Sequence, residues 1–231
     1  MAFSKYVKHL TAFLSLTILM GTSHEFAHHF SAAMVCGCFG EKTFNSFSLC
    51  PGCQENNPLW ILPTYIGPLF TFAMMWVGFF KLKKGSIIQK HLGFALIMAN
   101  FPVNRILFAL MGANDEQFAS GILFGFDNTM AFWLTNLGIW LFTIPPLWLC
   151  FTSINSKRKI LSFLGYFILP FIFVYLFAGL FLEEWLLLET QFLANAILGI
   201  PYLLLMVEAM ALFGYLLFRK YIYKYPYLKL N

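Results

Sequence analysis

Residues 160 to 182 read ILSFLGYFILPFIFVYLFAGLFL, an apolar run without a single charged side chain. A helix needs about 20 such residues to cross the hydrocarbon core of a bilayer. Residues 192 to 218 form a second long apolar run, with Glu208 its one charge, and 10 to 36, 59 to 80, 92 to 112 and 129 to 151 form four more, each closed by polar or charged punctuation. The pattern predicts an all-α, polytopic integral membrane protein with six transmembrane helices. Composition agrees: the 231 residues are 60% hydrophobic and 11% charged, with mean hydropathy +0.73, whereas soluble domains are about one quarter charged.

The net charge of +5 does not call for nucleic acid. Lys5, Lys8, Lys81, Lys83, Lys84, Lys90, Lys157, Arg158, Lys159, Arg219, Lys220, Lys224 and Lys229 all fall in alternate loops and the termini. That asymmetry places those segments, and both termini, in the cytoplasm. The opposite loops are acidic, with Glu41, Glu55, Asp115, Glu116, Glu183, Glu184 and Glu189 against Lys42 alone. A cleaved secretory signal is the competing explanation of the first segment, since Lys5 and Lys8 precede an apolar stretch and Gly21-Thr22-Ser23 offers small residues. Apolar character resumes at Phe26 and continues through Val35, so a span is expected. Residues 1–231 form one membrane domain, in a bacterial inner or plasma membrane.

Inside the first span stands Gly21-Thr22-Ser23-His24-Glu25-Phe26-Ala27-His28-His29-Phe30. His24 and His28 are four residues apart, about 6 Å along a helix and on nearly the same face, so both imidazoles reach one metal ion. Glu25 completes an HExxH motif, in which the glutamate is the general base acting on water at a zinc ion. In a soluble chain this motif alone would be a weak signal. At membrane depth, ionisable side chains cost a few kcal/mol and mark functional sites. His24, His28 and His29 also spell the HxxxHH box of membrane di-iron enzymes, but those need several boxes and this chain has five histidines in all. His9 and His91 read as interfacial side chains. His29, four residues after Glu25, is expected to hydrogen-bond it.

A catalytic zinc takes a third protein ligand and keeps an open position. Asp115, Glu116, Asp127 and Glu208 are the candidates. The first and third spans both run outward, which brings Asp115 to the height of His24, about 24 Å up the helix from Lys8. Asp127 is the runner-up. Asn100 and Asn104 share a helical face, either for helix packing or to hold substrate or orient a ligand. Arg105, buried in the same span, is expected to pair with Asp127 or Glu208. Cys36, Cys38, Cys50 and Cys53 fall in the first outer loop. They suggest two disulfides with three possible pairings, and a second, structural Zn2+ with four thiolates is the rival.

His24-Glu25-Phe26-Ala27-His28, Ile66-Gly67-Pro68-Leu69, and Asn100-Phe101-Pro102 followed by Asn114-Asp115-Glu116 resemble the site-2 protease family of intramembrane zinc metalloproteases. The resemblance covers roughly residues 15 to 125. It implies a metalloprotease-like core over 10–125 with additional helices over 126–231. It further implies one catalytic Zn2+ on His24, His28 and Asp115, Glu25 as base, and a membrane protein or peptide as substrate. The chain is a small, divergent member of this kind: Asn100 stands only two residues before Pro102, and no Leu-Asp-Gly follows. A non-proteolytic transporter or channel, with the His and acid cluster binding an ion, is the alternative function. An inactive scaffold is the other.

Overall fold

The computed structural model describes residues 2–223, so Lys224 and Lys229 lie outside the described residues. Helix α1 (Ala2–Cys36) comes first, and a short α2 (Cys53–Asn56) follows in the loop. Helices α3 (Pro63–Lys84), α4 (Ile87–Ala99), α5 (Pro102–Leu110), α6 (Asp115–Phe124) and α7 (Thr129–Ser153) come next. Then α8 (Lys159–Val174) continues as a π-helical stretch (Tyr175–Glu189), and a two-stranded hairpin (β1, Ala196–Ile197; β2, Ile200–Pro201) leads into α9 (Tyr202–Ile222).

Five helical units are long and apolar enough to cross a membrane: Pro63–Lys84, Ile87–Phe124, Thr129–Ser153, Lys159–Glu189 and Tyr202–Ile222. They overlap the second to sixth spans expected from the sequence, although the sixth helix begins at Tyr202 and not at residue 192, and they suit a multi-pass membrane protein. Helix α1, expected as the first span, is not among the five, although at 35 residues it is long enough. Its Lys5–His9 start and the His24–His29 segment interrupt the apolar run.

Helix α1 is the axis of the bundle, packed chiefly against α9 on one side and α3 on the other. Toward the lysine-rich end, Phe13 and Leu16 of α1 meet Met75 of α3 and Ile97 and Met98 of α4 in a closed apolar core. Toward the other end, Leu203, Leu204 and Val207 of α9 pack with Phe44, Ala178 and Leu182. Large apolar side chains such as Trp148, Ile160 and Phe213 remain exposed around the outside, as lipid-facing positions do.

The third span is not one helix. A proline disfavours the helical conformation in the residue before it, and here Phe101 turns left-handed (φ 51°, ψ 52°). Helix α4 therefore stops and α5 restarts with Pro102 at its first position, where a missing N–H is harmless. Asn100 and Asn104 thus share a cavity wall but not a helical face, a correction to the continuous-span expectation. At the far end of α5, Gly112 takes φ 71°, and Gly112 and Ala113 donate to Ala109 O and Phe108 O. This left-handed stop is followed at once by Asn114, whose side chain accepts from Gln117 N and caps α6. Asp115 is the first residue of that helix.

Two disulfides, Cys36–Cys53 and Cys38–Cys50, staple the segment after α1. The four thiols are therefore not available as ligands for a second, structural zinc. Within the loop that the staples close, the chain makes a small hairpin bridged at Lys42 and Phe47. Lys42 N donates to Gly199 O, which joins it to the β1–β2 hairpin.

Candidate metal centre

His24 and His28 lie one turn apart on α1, and their rings meet edge to face with centroids 4.6 Å apart. Asp115 arrives from α6. The Nε2 atoms of the two histidines are 3.1 Å apart. Asp115 Oδ2 lies 3.2 Å from His24 Nε2 and 3.6 Å from His28 Nε2. Among the described residues this is the group of His, Cys, Asp or Glu side chains arranged to hold a metal ion. Zinc bonds of about 2.0–2.1 Å at tetrahedral angles put neighbouring donor atoms roughly 3.3 Å apart. The three observed edges bracket that length, so the donor set fits.

The opposite ring nitrogens are tied elsewhere. His28 Nδ1 lies 2.7 Å from the carbonyl oxygen of Pro63. Because a carbonyl only accepts, Nδ1 carries the proton and Nε2 presents its lone pair to the trio. His24 Nδ1 pairs with Thr71 Oγ1 at 2.9 Å. Both partners belong to α3, where Gly67 lets the His28 imidazole come against the helix backbone: a Cβ at Gly67 would overlap that ring. On its other side the His28 ring stacks on Phe47 of the stapled hairpin, with centroids 4.6 Å apart and planes 8° from parallel.

Glu25 Oε1 lies 4.0 Å from His24 Nε2, beside the trio but outside it. Arg105 is 6% exposed. It donates through Nη1 to both carboxylate oxygens of Glu116, at 3.2 and 3.1 Å, and the same nitrogen is 3.5 Å from Asp115 Oδ2. Arg105 therefore pairs with Glu116 and Asp115, not with Asp127 or Glu208 as the sequence suggested. Asp127 is exposed in the turn before α7. Glu208 projects from α9, and its buried Oε1 has no hydrogen-bond partner among the described residues. Neither joins the trio. His29 also departs from expectation: its Nε2 meets the carbonyl oxygen of Leu198 at 2.9 Å, tying α1 to the β1–β2 hairpin instead of to Glu25.

A cavity of about 580 Å³ opens on the site, with Ile18, Phe171, Val174 and Leu182 among its apolar walls and Asn100, Asn104, Arg105 and Asp115 among its polar groups. A second space of about 470 Å³, which includes Ser46, Trp60 and Thr64, shares Glu25, Asn45, Asn114 and Asp115 with the first. The tip of the stapled hairpin lies between the two. Glu183 Oε2 accepts from Asn45 N and Nδ2 at 3.0 and 2.6 Å, and its Oε1 accepts from Thr43 Oγ1 at 3.0 Å.

Lys42 is the one basic residue of this loop region. It is 1% exposed, and its ammonium donates to Thr43 O at 2.9 Å and lies 4.6 Å above the Phe26 ring. Burial pushes its pKa down to about 8, against the opposing pull of Glu25, Glu208 and Glu183. Sequence reasoning did not single out Thr71, Pro63 or Phe47. A threonine four residues after Gly67 carried the only available hint of the first.

The chain matches no family model, no curated protein and no solved structure.

Proposed function

We propose that the protein is a zinc-dependent, membrane-embedded peptidase, with His24, His28 and Asp115 as the metal ligands and Glu25 as the general base. The observation that carries this is the convergence of two imidazole lone pairs and a carboxylate oxygen at 3.1, 3.2 and 3.6 Å. Such lone pairs repel one another unless a proton or a metal cation stands among them. Charge points the same way. Three acids, Glu25, Asp115 and Glu116, surround one arginine, and even with Lys42 counted against Glu25 their ionised forms leave an excess of negative charge that favours a cation. Two nitrogen donors with one oxygen donor suit zinc.

A zinc ion held there supplies Lewis acidity, which polarises a carbonyl and makes water acidic enough to lose a proton near neutral pH. The side chains do the rest. Glu25 accepts a proton from the attacking water as its oxygen bonds to the peptide carbon, then delivers the proton to the departing nitrogen as the C–N bond breaks. The products are a carboxylate and an amine. Pro63 holds the His28 imidazole in the tautomer that leaves Nε2 free, and Thr71 orients the His24 ring. The substrate is a membrane protein or peptide whose apolar part occupies the larger cavity. From the distribution of lysines, the site faces the extracytoplasmic side of a bacterial inner or plasma membrane. The resemblance to site-2 proteases supports the same chemistry.

The test is cleavage of fluorogenic peptides bearing an apolar segment, by detergent-purified protein. Turnover that a chelator abolishes, zinc restores and Glu25→Gln eliminates is the expected result. Metal-replete protein that cleaves nothing across such a library, while binding its ion, would favour an ion-handling role.

A further inference from the structure

We propose that Arg105 is a catalytic residue of this site, donating to the carbonyl oxygen of the substrate as negative charge develops on it. The inference rests on the metallopeptidase function above. Its ground is the way the guanidinium is used. A buried arginine held only for structure is best paired fork to fork, two nitrogens on two carboxylate oxygens. Here Glu116 takes both of its bonds from Nη1 alone. Nη2 is turned away from Glu116 toward the His24 ring, 3.2 Å from its Nε2 and 3.4 Å from its Nδ1. Nε is buried and has no hydrogen-bond partner among the described residues.

That arrangement changes when the site is filled. The lone pair of His24 Nε2 is the one that would ligate an ion, and a neutral imidazole so bound carries its proton on Nδ1, beside Thr71 Oγ1, so ligation takes away the acceptor that Nη2 has here. Two donor nitrogens, Nη2 and Nε, are then without protein acceptors beside the metal ligands, in a residue that lines the larger cavity. Buried donors of a charged group are costly to leave unpaired. Their natural complement is an oxygen bearing negative charge. As water adds to the peptide carbon, the carbonyl π electrons move onto oxygen, and a fixed N–H donor there stabilises the transition state more than the ground state. When the electrons return, the C–N bond breaks and the nitrogen takes the proton held by Glu25. Glu116, 6% exposed, is the positioning residue that anchors Nη1 and thereby aims the rest of the guanidinium.

The discriminating experiment uses full-length protein in detergent, loaded with Co2+ so that ligand binding is read from the visible absorption bands. Two probes are compared. A phosphinic dipeptide analogue carries the tetrahedral, anionic oxygens of the addition product, whereas acetohydroxamate is a planar metal chelator. Because Arg105→Gln alone would strand Glu116, the variant is Arg105→Gln with Glu116→Gln, and Arg105→Lys serves as the partial rescue. Loss of one such donor is typically worth about 100-fold or more. The expected result is unchanged cobalt content and acetohydroxamate affinity in the double variant, phosphinate binding weakened by about that factor, and partial recovery in Arg105→Lys. Phosphinate affinity within about threefold of the parent would overturn the assignment. So would parallel loss of cobalt and of both probes, which would make Arg105 a structural support. A parent protein that takes up no cobalt would instead sink the metal site itself.

Discussion

The carbonyl oxygen of Pro63 sits 2.7 Å from Nδ1 of His28, so a helix that supplies no metal ligand decides which nitrogen of a candidate ligand is free. The geometry depends on Gly67, one turn further along α3, because any Cβ there collides with the same imidazole. Gly67→Ala should therefore lower zinc affinity by about 10- to 100-fold, the usual effect of disturbing a ligand's orienting contacts. The helix itself should not suffer, since alanine favours it by about 1 kcal/mol. Competition against a chelator measures the affinity; an unchanged value would show that the His28 ring need not rest on α3.

Thr71 gives a companion prediction for the other histidine. Thr71→Val keeps the shape and removes the hydroxyl 2.9 Å from His24 Nδ1. Zinc affinity should fall by about the same 10- to 100-fold, and Thr71→Ser should restore most of it. Equal affinity in the valine and serine variants would remove Thr71 from the site.

Lys42 predicts a pH dependence of stability. Its folded pKa, pushed down to about 8 by burial, lies below the ordinary value of about 10.4. Between those values the unfolded chain holds a proton that the folded one has released, so stability should rise with pH across roughly pH 8 to 10. Below pH 8 the full penalty of burying the charge is present, on the order of 3 kcal/mol. Lys42→Met should accordingly raise the midpoint of thermal unfolding at pH 7 and flatten its dependence on pH. A destabilised methionine variant would mean that the bond to Thr43 O and the Phe26 ring outweigh the desolvation.

The disulfides brace the site as well as the loop. Cys36–Cys53 has a sequence separation of 17, a closure worth about 3 kcal/mol in chain-entropy terms. Replacing both cysteines by serine should lower stability by that order. It should also loosen Phe47 from His28 and so weaken metal binding. Thermal unfolding and chelator competition on the same preparation separate the two effects; full zinc affinity in the destabilised variant would confine the staple to the loop.

Much of the site was legible in the sequence because its ligands are local. His24, Glu25 and His28 need only the helical period, and a long apolar run around them guarantees that period. Asp115 was expected at the height of His24 from the charge pattern of the loops, and its Oδ2 lies 3.2 Å from His24 Nε2. Contacts that depend on where a chain bends were not. Pro102 announces an interruption, but nothing local says that Phe101 turns left-handed and lets α5 restart, which undoes the shared face of Asn100 and Asn104. Arg105 was expected to find an acid, yet Glu116 became its partner only because Gly112 and Asn114 turn the chain back into α6. His29 lies at the right spacing for Glu25, but the β1–β2 hairpin, more than 160 residues away in sequence, offers a carbonyl first. The pairing of Cys36 with Cys53 and Cys38 with Cys50 was one of three arrangements that spacing allows.

The central claim is tested most directly by elemental analysis of metal-replete, detergent-purified protein and four variants. The account predicts about one zinc per chain in the parent and in Glu25→Gln, and little or none in His24→Ala, His28→Ala and Asp115→Ala. With the four loop cysteines oxidised as disulfides, they offer no competing site for the ion. A parent without zinc, or histidine variants that retain it in full, would contradict the account; loss in both histidine variants with full retention in Asp115→Ala would leave the histidine pair standing and refute the third ligand.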